Sequence, residues 1–195
     1  MKEKFEFNPF SGVFDDDLEQ ILVPIFDIDV LSEKIKHSPS LAIEFLGKQG
    51  RGKTTHLRYI QQWLNVYPIF LLTKTNANLS KILDHSSDVV FVDSIHHLSL
   101  LERVQLFKVK RVIVYTTHWS RKYTCLLAGK ECYSIPFKGI TTDKLKRILE
   151  NRLELAANSN INVSEIFLER DLQALIKKYG DNYRGILNYL YEQYQ

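Results

Sequence analysis

The sequence predicts an α/β protein in which helices sandwich a parallel sheet bearing a phosphate-binding loop (P-loop), with a small all-helical lid at the C-terminal end. Three observations carry this prediction. Apolar, β-prone runs alternate with helical patterns between residues 41 and 137. A glycine-rich turn of the form G-x-x-x-x-G-K-[ST] joins the first such run to the helix that follows it. Beyond residue 141 the apolar spacing is helical only, so two domains are expected, 1–140 with the leader included and 141–195.

The leader, residues 5–40, holds the acidic cluster Asp15-Asp16-Asp17 and a helix expected over 29–37, where Val30, Leu31 and Ile35 face inward. The run Leu41-Ala42-Ile43-Glu44-Phe45-Leu46 then reads as a strand that feeds directly into Gly47-Lys48-Gln49-Gly50-Arg51-Gly52-Lys53-Thr54. A triphosphate is wrapped by backbone N–H groups, and glycine lets the chain turn tightly enough to aim them inward. Lys53 is expected on the β- and γ-phosphates, and Thr54, followed by Thr55, supplies a hydroxyl to Mg²⁺. The helix over 53–66, patterned by Leu57, Ile60, Trp63 and Leu64, points its positive end at the same anion.

Residues 67–72 read as a second strand and 78–83 as a short helix. Asp88-Val89-Val90-Phe91-Val92-Asp93 is a strand buried on both faces and ending in a carboxylate, which places Asp93 on the metal side of a P-loop site. A helix over 99–107 precedes a further buried strand over 111–118, whose last residues, Thr116-Thr117-His118, are polar where a γ-phosphate would lie. Residues 134–137 read as a short strand at an edge or end, because Pro136 cannot donate to a ladder. Thr142 is expected to cap a long helix bearing Leu145, Ile148, Leu149, Leu153 and Leu155 and ending near Asn158. A turn or short helix over 164–167 and helices over 169–179 and 183–194 complete the chain.

With 195 residues, 45% hydrophobic and 25% charged, the chain has room for one sizeable core with a small appendage. No apolar run approaches the roughly 20 residues a membrane span needs, and Met1-Lys2-Glu3-Lys4-Phe5 lacks a signal-peptide apolar stretch, so a cytoplasmic protein without membrane partners is expected. Cys125 and Cys132 have six residues between them, a spacing of neither a C-x-x-C pair nor a usual zinc site, and read as two reduced, partly buried thiols. A formal charge of +3 neither demands nor excludes nucleic acid.

In this order, the loop, the acid-terminated strand, the strand ending in Thr-Thr-His and the helical segment resemble the AAA+ ATPases over residues 8–195. The resemblance places Walker A at Gly47 to Thr54, Walker B at Val89 to Asp93, and sensor 1 at Thr116 or Thr117, with Thr117 preferred. Gly180-Asp181-Asn182-Tyr183-Arg184 is similar to the G-x-x-R opening of the sensor 2 helix, which implies that Arg184 reaches the phosphates. Asn8-Pro9-Phe10 is similar to an N-P-F element that helps to wall the adenine in bacterial members of the transposition, secretion and initiator type. The implied ligands are ATP or ADP with Mg²⁺, and the implied partner is a second copy or another protein.

Two positions depart from the family pattern. Ser94 stands where many members have the glutamate that orients the attacking water, so His96 and His97 are alternative proton acceptors or structural residues. Arg121 is the first candidate for an arginine finger, with Arg147 and Arg152 as rivals. The leading expectation is a slow ATPase acting as an ATP-dependent molecular switch. A DNA-associated accessory, motivated by Lys108-Lys110-Arg111 and Lys144-Lys146-Arg147, and a non-hydrolysing nucleotide-binding interaction module are the alternatives. The tyrosines of the tail, Tyr189, Tyr191 and Tyr194, either dock a partner in that last reading or pack on their own domain.

Overall fold

The computed structural model describes residues 5–12, 14–65, 67–158, 163 and 166–195. Its contacts divide the chain into two compact units, one of residues 24–48 and 53–137, the other of residues 1–23, 49–52 and 138–195.

In the first unit, β1 (Leu41–Leu46), β2 (Ile69–Leu71), β3 (Val89–Asp93), β4 (Val112–Thr117) and β5 (Glu131–Pro136) form a parallel sheet in the order β2-β3-β4-β1-β5. The register pairs Leu46 of β1 with Thr117 of β4 and Pro136 of β5, so the phosphate loop leaves from within the sheet, between two flanking strands. Because side chains alternate along a strand, Leu41, Ile43 and Phe45 meet one helical layer while Ala42 meets the other. The first layer is α2 (Ile28–His37) and α3 (Lys53–Leu64), which bury Leu31, Ile35, Leu57 and Ile60. The second is α4 (Leu79–Leu83), α5 (Leu100–Val109) and α6 (Lys122–Ala128), which bury Ile82, Leu106, Phe107 and Cys125.

Element ends have local causes. α2 is capped by Asp27, whose Oδ1 accepts from the N–H groups of Asp29 and Val30. Helix α3 stops at Leu64, short of the expected end at 66, because Asn65 takes a left-handed conformation at φ 47°. Ser99 and Glu102 form a reciprocal capping box at the start of α5. β5 starts at Glu131, earlier than expected, as the edge strand beside β1. Helix α6 has no counterpart in the sequence reading. Its buried residues are Thr124 and Cys125 while Leu126 is exposed, so the burial pattern inverts the hydropathy pattern.

In the second unit, α1 (Leu18–Ile21), α7 (Thr142–Ala156), α8 (Glu169–Tyr179) and α9 (Tyr183–Gln193) accompany a core of Phe10, Leu145, Leu149, Leu153, Leu172, Leu175, Ile186 and Leu190. Thr141, not Thr142, caps α7, its hydroxyl accepting from Lys144 N–H. By its contacts, the leader through Val23 packs with these helices. Of the expected element over 164–167, residues 164 and 165 lie outside the described residues, and Ile166 and Phe167 form a turn. Among the described residues no helix is long and apolar enough to cross a membrane.

Candidate nucleotide site

The phosphate loop runs from the end of β1 into α3, and two of its glycines take backbone conformations that only glycine adopts readily. Gly50 and Gly52 both hold φ +80°, in the left-handed region that a side chain rarely tolerates. At Gly50 a Cβ would also collide with Asn182 Oδ1, so the position admits no side chain. Gly47 N–H donates to Thr117 O at 3.1 Å, pinning the loop's entry to the end of β4. Lys48 and Gln49 are exposed. Lys53 is buried at the first turn of α3, and its Nζ donates to Lys48 O at 2.7 Å, which holds the ammonium group against the loop's entry.

β3 delivers Asp93 beside α3. The Thr54 hydroxyl lies 3.1 Å from each carboxylate oxygen of Asp93, and Thr55 sits partly exposed one residue on. Thr116 Oγ1 donates to Asp93 Oδ1 at 2.5 Å and accepts from Ser94 N–H at 2.8 Å. Thr117 Oγ1 instead donates to Trp119 O at 2.8 Å. Of the two sensor 1 candidates, Thr116 is therefore the one whose hydroxyl meets Asp93. Adjacent strand residues point to opposite faces, and only the face of Thr116 looks toward the terminal carboxylate of β3.

Ser94 adopts φ 62° and ψ 47°, a left-handed conformation that is strained for a residue with a Cβ. It turns the chain so that His96, His97 and His118 gather beyond Asp93, with ring centroids 4.3 Å apart for His96 and His97 and 5.0 Å apart for His96 and His118. His118 Nδ1 donates to Gly47 O at 3.1 Å, tying this cluster to the loop's entry. Burial holds His96 below its ordinary imidazole value, reinforced by His97, His118 and Arg121 and opposed by Asp93. Its Nδ1 is enclosed and has no hydrogen-bond partner among the described residues.

Sequence reasoning missed Glu44. This carboxylate is fully buried in β1 and accepts from Ser134 Oγ at 2.6 Å, Ser120 Oγ at 2.8 Å, Arg121 N–H at 2.8 Å and Tyr115 OH at 3.3 Å. A buried charge survives when its lone pairs are satisfied, and here neutral donors satisfy them. The signal was available as the one charged residue in an otherwise apolar strand. Through Arg121 N–H, Glu44 fixes the segment between β4 and α6. Arg121 itself is half-buried, its Nε enclosed and its charge beside His96 and Arg103.

In the helical unit, Arg51 Nη2 pairs with Asp181 Oδ2 at 2.5 Å. The same Asp181 oxygen accepts from Gly139 N–H at 3.3 Å, and Arg184 N–H donates to Gly50 O at 3.3 Å. Arg184 is exposed at the start of α9. Asn8 Nδ2 donates to Tyr191 O at 2.9 Å, and Phe10 is buried edge-on to Tyr194 with centroids 4.9 Å apart. The N-P-F element is thus a core anchor of this unit. Arg152, a rival for the finger, is buried and donates to Pro9 O and Ser11 O at 3.3 and 3.1 Å, which leaves it no reach outward. Tyr189 and Tyr194 pack within the unit, Tyr189 on Tyr179 and under Lys178 Nζ at 4.3 Å.

The basic stretches are also largely used internally. Lys110 is buried and its Nζ donates to Leu83 O, His85 O and Ser87 O at 3.1, 2.6 and 3.0 Å, while Arg111 donates to Ser38 O and Asp88. Lys144 Nζ sits 5.9 Å over the Tyr183 ring, and Lys146 pairs with Glu150 at 3.7 Å. Lys108 and Arg147 remain exposed or partly so.

No protein-family model and no curated protein matches the sequence. Solved structures do match in fold. Cdc6p from Pyrobaculum aerophilum is similar with a TM-score of 0.61 at 15% identity, over 96% of this chain and 65% of that one. A point mutant of RuvB from Thermotoga maritima gives 0.57 at 14% identity, over 91% of this chain and 61% of that one. A DNA replication initiation factor gives 0.51 at 13% identity, over 88% of this chain and 66% of that one. The chain thus spans just under two thirds of the length of each. With its parallel sheet, its P-loop and its C-terminal helices, the chain has the AAA+ P-loop ATPase fold.

Proposed function

We propose that this protein is an ATP-binding molecular switch of the AAA+ type that hydrolyses ATP slowly and whose nucleotide state controls assembly with itself or a protein partner. The observation that carries this reading is the Thr54 hydroxyl at 3.1 Å from both oxygens of Asp93, directly after a lysine held against the P-loop. Hydroxyl and carboxylate oxygens are the hard donors that suit Mg²⁺, which keeps several waters and takes its remaining ligands from phosphate oxygens. Thr54 and Asp93 are the residues that would hold it, and bound Mg²⁺ would neutralise charge between the β- and γ-phosphates. Lys53 neutralises the same polyanion, Gln49, Gly50 and Gly52 present backbone N–H groups, and Arg184 stands in the sensor 2 position. Asn8, Pro9 and Phe10 hold the leader that supports the adenine side.

Slow turnover follows from Ser94. Without a carboxylate at that position, the enclosed His96 is the candidate base for water, Thr116 the candidate sensor of the γ-phosphate and Arg121 the candidate arginine finger for a neighbour's site. The decisive experiment combines ATP titration, phosphate release and size determination on the wild type and Lys53→Ala. The wild type should bind ATP–Mg²⁺ and change its assembly state, and Lys53→Ala should weaken binding by about 100-fold or more. Full-affinity binding by Lys53→Ala would overturn the proposal. A second reading, a DNA-associated accessory, draws on one fold neighbour, a DNA replication initiation factor. It predicts ATP-strengthened DNA binding that falls steeply with salt.

A further inference from the structure

A cavity of about 370 Å³ opens in the helical unit, at the end of α9 remote from Arg184. Its walls include the rings of Phe5, Phe7, Tyr191 and Tyr194, with Glu6 and Asn8 beside them. Tyr191 and Tyr194 follow Arg184 by seven and ten residues, which is about 10 to 15 Å along a helix. The proposed nucleotide chemistry uses none of the four rings. Phe7 and Tyr191 are 43% and 37% exposed, so neither ring is consumed by the core.

The walls are fixed by bonds of the leader to the helices. Phe5 bridges to Ala157 just beyond α7, and Glu6 N–H donates to Ala156 O at 2.8 Å. Asn8 Nδ2 donates to Tyr191 O at 2.9 Å, which fastens the leader wall to the α9 wall. The Phe5 and Tyr194 rings meet at 57° with centroids 6.1 Å apart, and Phe10 supports Tyr194 edge-on at 4.9 Å. The cavity is therefore shaped before any ligand enters it, which lowers the ordering cost of binding.

We propose that this cavity binds a quaternary ammonium group. The chain bends at Glu6 and Phe7, so that the carboxylate and the rings line one space. Among the described residues, Glu6 is the one charged side chain in the lining, and it is an acid. A cation against aromatic rings is attracted to their quadrupoles, most strongly where water is displaced. An unmodified ammonium also needs acceptors for its N–H groups, and the Asn8 amide is already occupied, Nδ2 by Tyr191 O and Oδ1 by Phe10 N–H at 3.0 Å. A quaternary ammonium has no N–H to satisfy. A neutral ligand of the same shape gains ring contact but nothing from Glu6 or the quadrupoles. The trimethylammonium head is the shared chemistry, whether a small amino alcohol or a modified lysine side chain carries it.

The test is titration of the full chain, followed by calorimetry and by the N-methyl proton resonance of the ligand. The probes are choline, paired with its neutral isostere in which tert-butyl replaces trimethylammonium, and a trimethyllysine peptide, paired with the same peptide bearing unmodified lysine. At least one cationic probe should bind about ten-fold or more tighter than its control, with its N-methyl resonance moved upfield by the rings. Binding by choline or by the peptide alone distinguishes the two sources and supports the site in either case. Phe7→Leu and Tyr191→Leu keep apolar bulk at exposed positions and should each weaken binding by about five-fold or more. Glu6→Gln should weaken it by about three-fold and flatten its salt dependence. ATP should leave the bound probe in place. Equal affinity within both pairs, no saturation by either cation at millimolar concentration, or displacement by ATP would overturn the proposal. The paired probes on the wild type decide the question even if a variant fails to fold, and none of these readouts depends on ATP binding or turnover.

Discussion

Arg51 of the phosphate loop and Asp181 of the turn between α8 and α9 form an ion pair at 2.5 Å, their side chains only 15% and 27% exposed. Asn182 closes over Gly50 in the same cluster, so the loop tip is held by the residues just before Arg184. A polyphosphate bound in the loop, as proposed, would compete with Asp181 for Arg51. Asp181→Asn removes the competing charge and keeps the shape, and it should tighten ATP binding by about five-fold or more. Isothermal titration checks this, and unchanged or weaker affinity would contradict the competition.

The Thr116–Asp93 contact yields a discriminating pair of substitutions. Thr116→Val keeps the buried volume and removes the hydroxyl that meets Asp93 and Ser94. ATP turnover should fall by about 10- to 100-fold. Thr117→Val loses the bonds to Trp119 O and from Trp119 N–H but none to Asp93, and turnover should stay within about three-fold of wild type. The reverse order in a phosphate-release assay would return the sensor 1 role to Thr117.

Glu44 is a stability prediction. Glu44→Leu strands the donors on Ser120, Ser134 and the Arg121 backbone, and should cost about 3 kcal/mol or more in chemical denaturation. Glu44→Gln retains acceptor capacity through its carbonyl oxygen and should cost about half as much. Equal losses for the two variants would mean that packing, not the acceptor, is what matters there.

His96 sets a pH dependence. Its folded pKa lies below the unfolded value near 6.5, so the unfolded chain binds the extra proton first. Its contribution to stability is complete above the unfolded pKa and is lost as pH falls through 6.5 toward the folded value. The facing groups are His97, His118, Arg121 and Asp93, of which Asp93 alone favours the charged ring. His96→Asn should flatten the fall in melting temperature between about pH 7 and pH 5 relative to wild type; an unchanged slope would assign that limb to other groups.

Local chemistry made much of this molecule legible in advance. The Gly47 to Thr54 turn, the apolar β1, β3 and β4 and the start of α8 all follow from short-range rules: glycine where φ is positive, unbroken apolar runs where both strand faces are covered, and a 3.6-residue period where one helix face is buried. Helix α6 was illegible for the same reason, since it buries Thr124 and Cys125 and exposes Leu126. Lys110, part of a basic stretch that motivated the DNA-associated reading, is a buried donor to the end of α4 and the turn after it, a contact made 23 to 27 residues away in the chain.

Residue order thus determined that a P-loop, an acid-terminated strand and a helical C-terminal segment exist, because each depends on a few neighbouring side chains. Which threonine meets Asp93, what satisfies Glu44 and which acid holds Arg51 were decided by packing. Most of those partners lie tens of residues apart along the chain, and the strand register and helix layers set their distances.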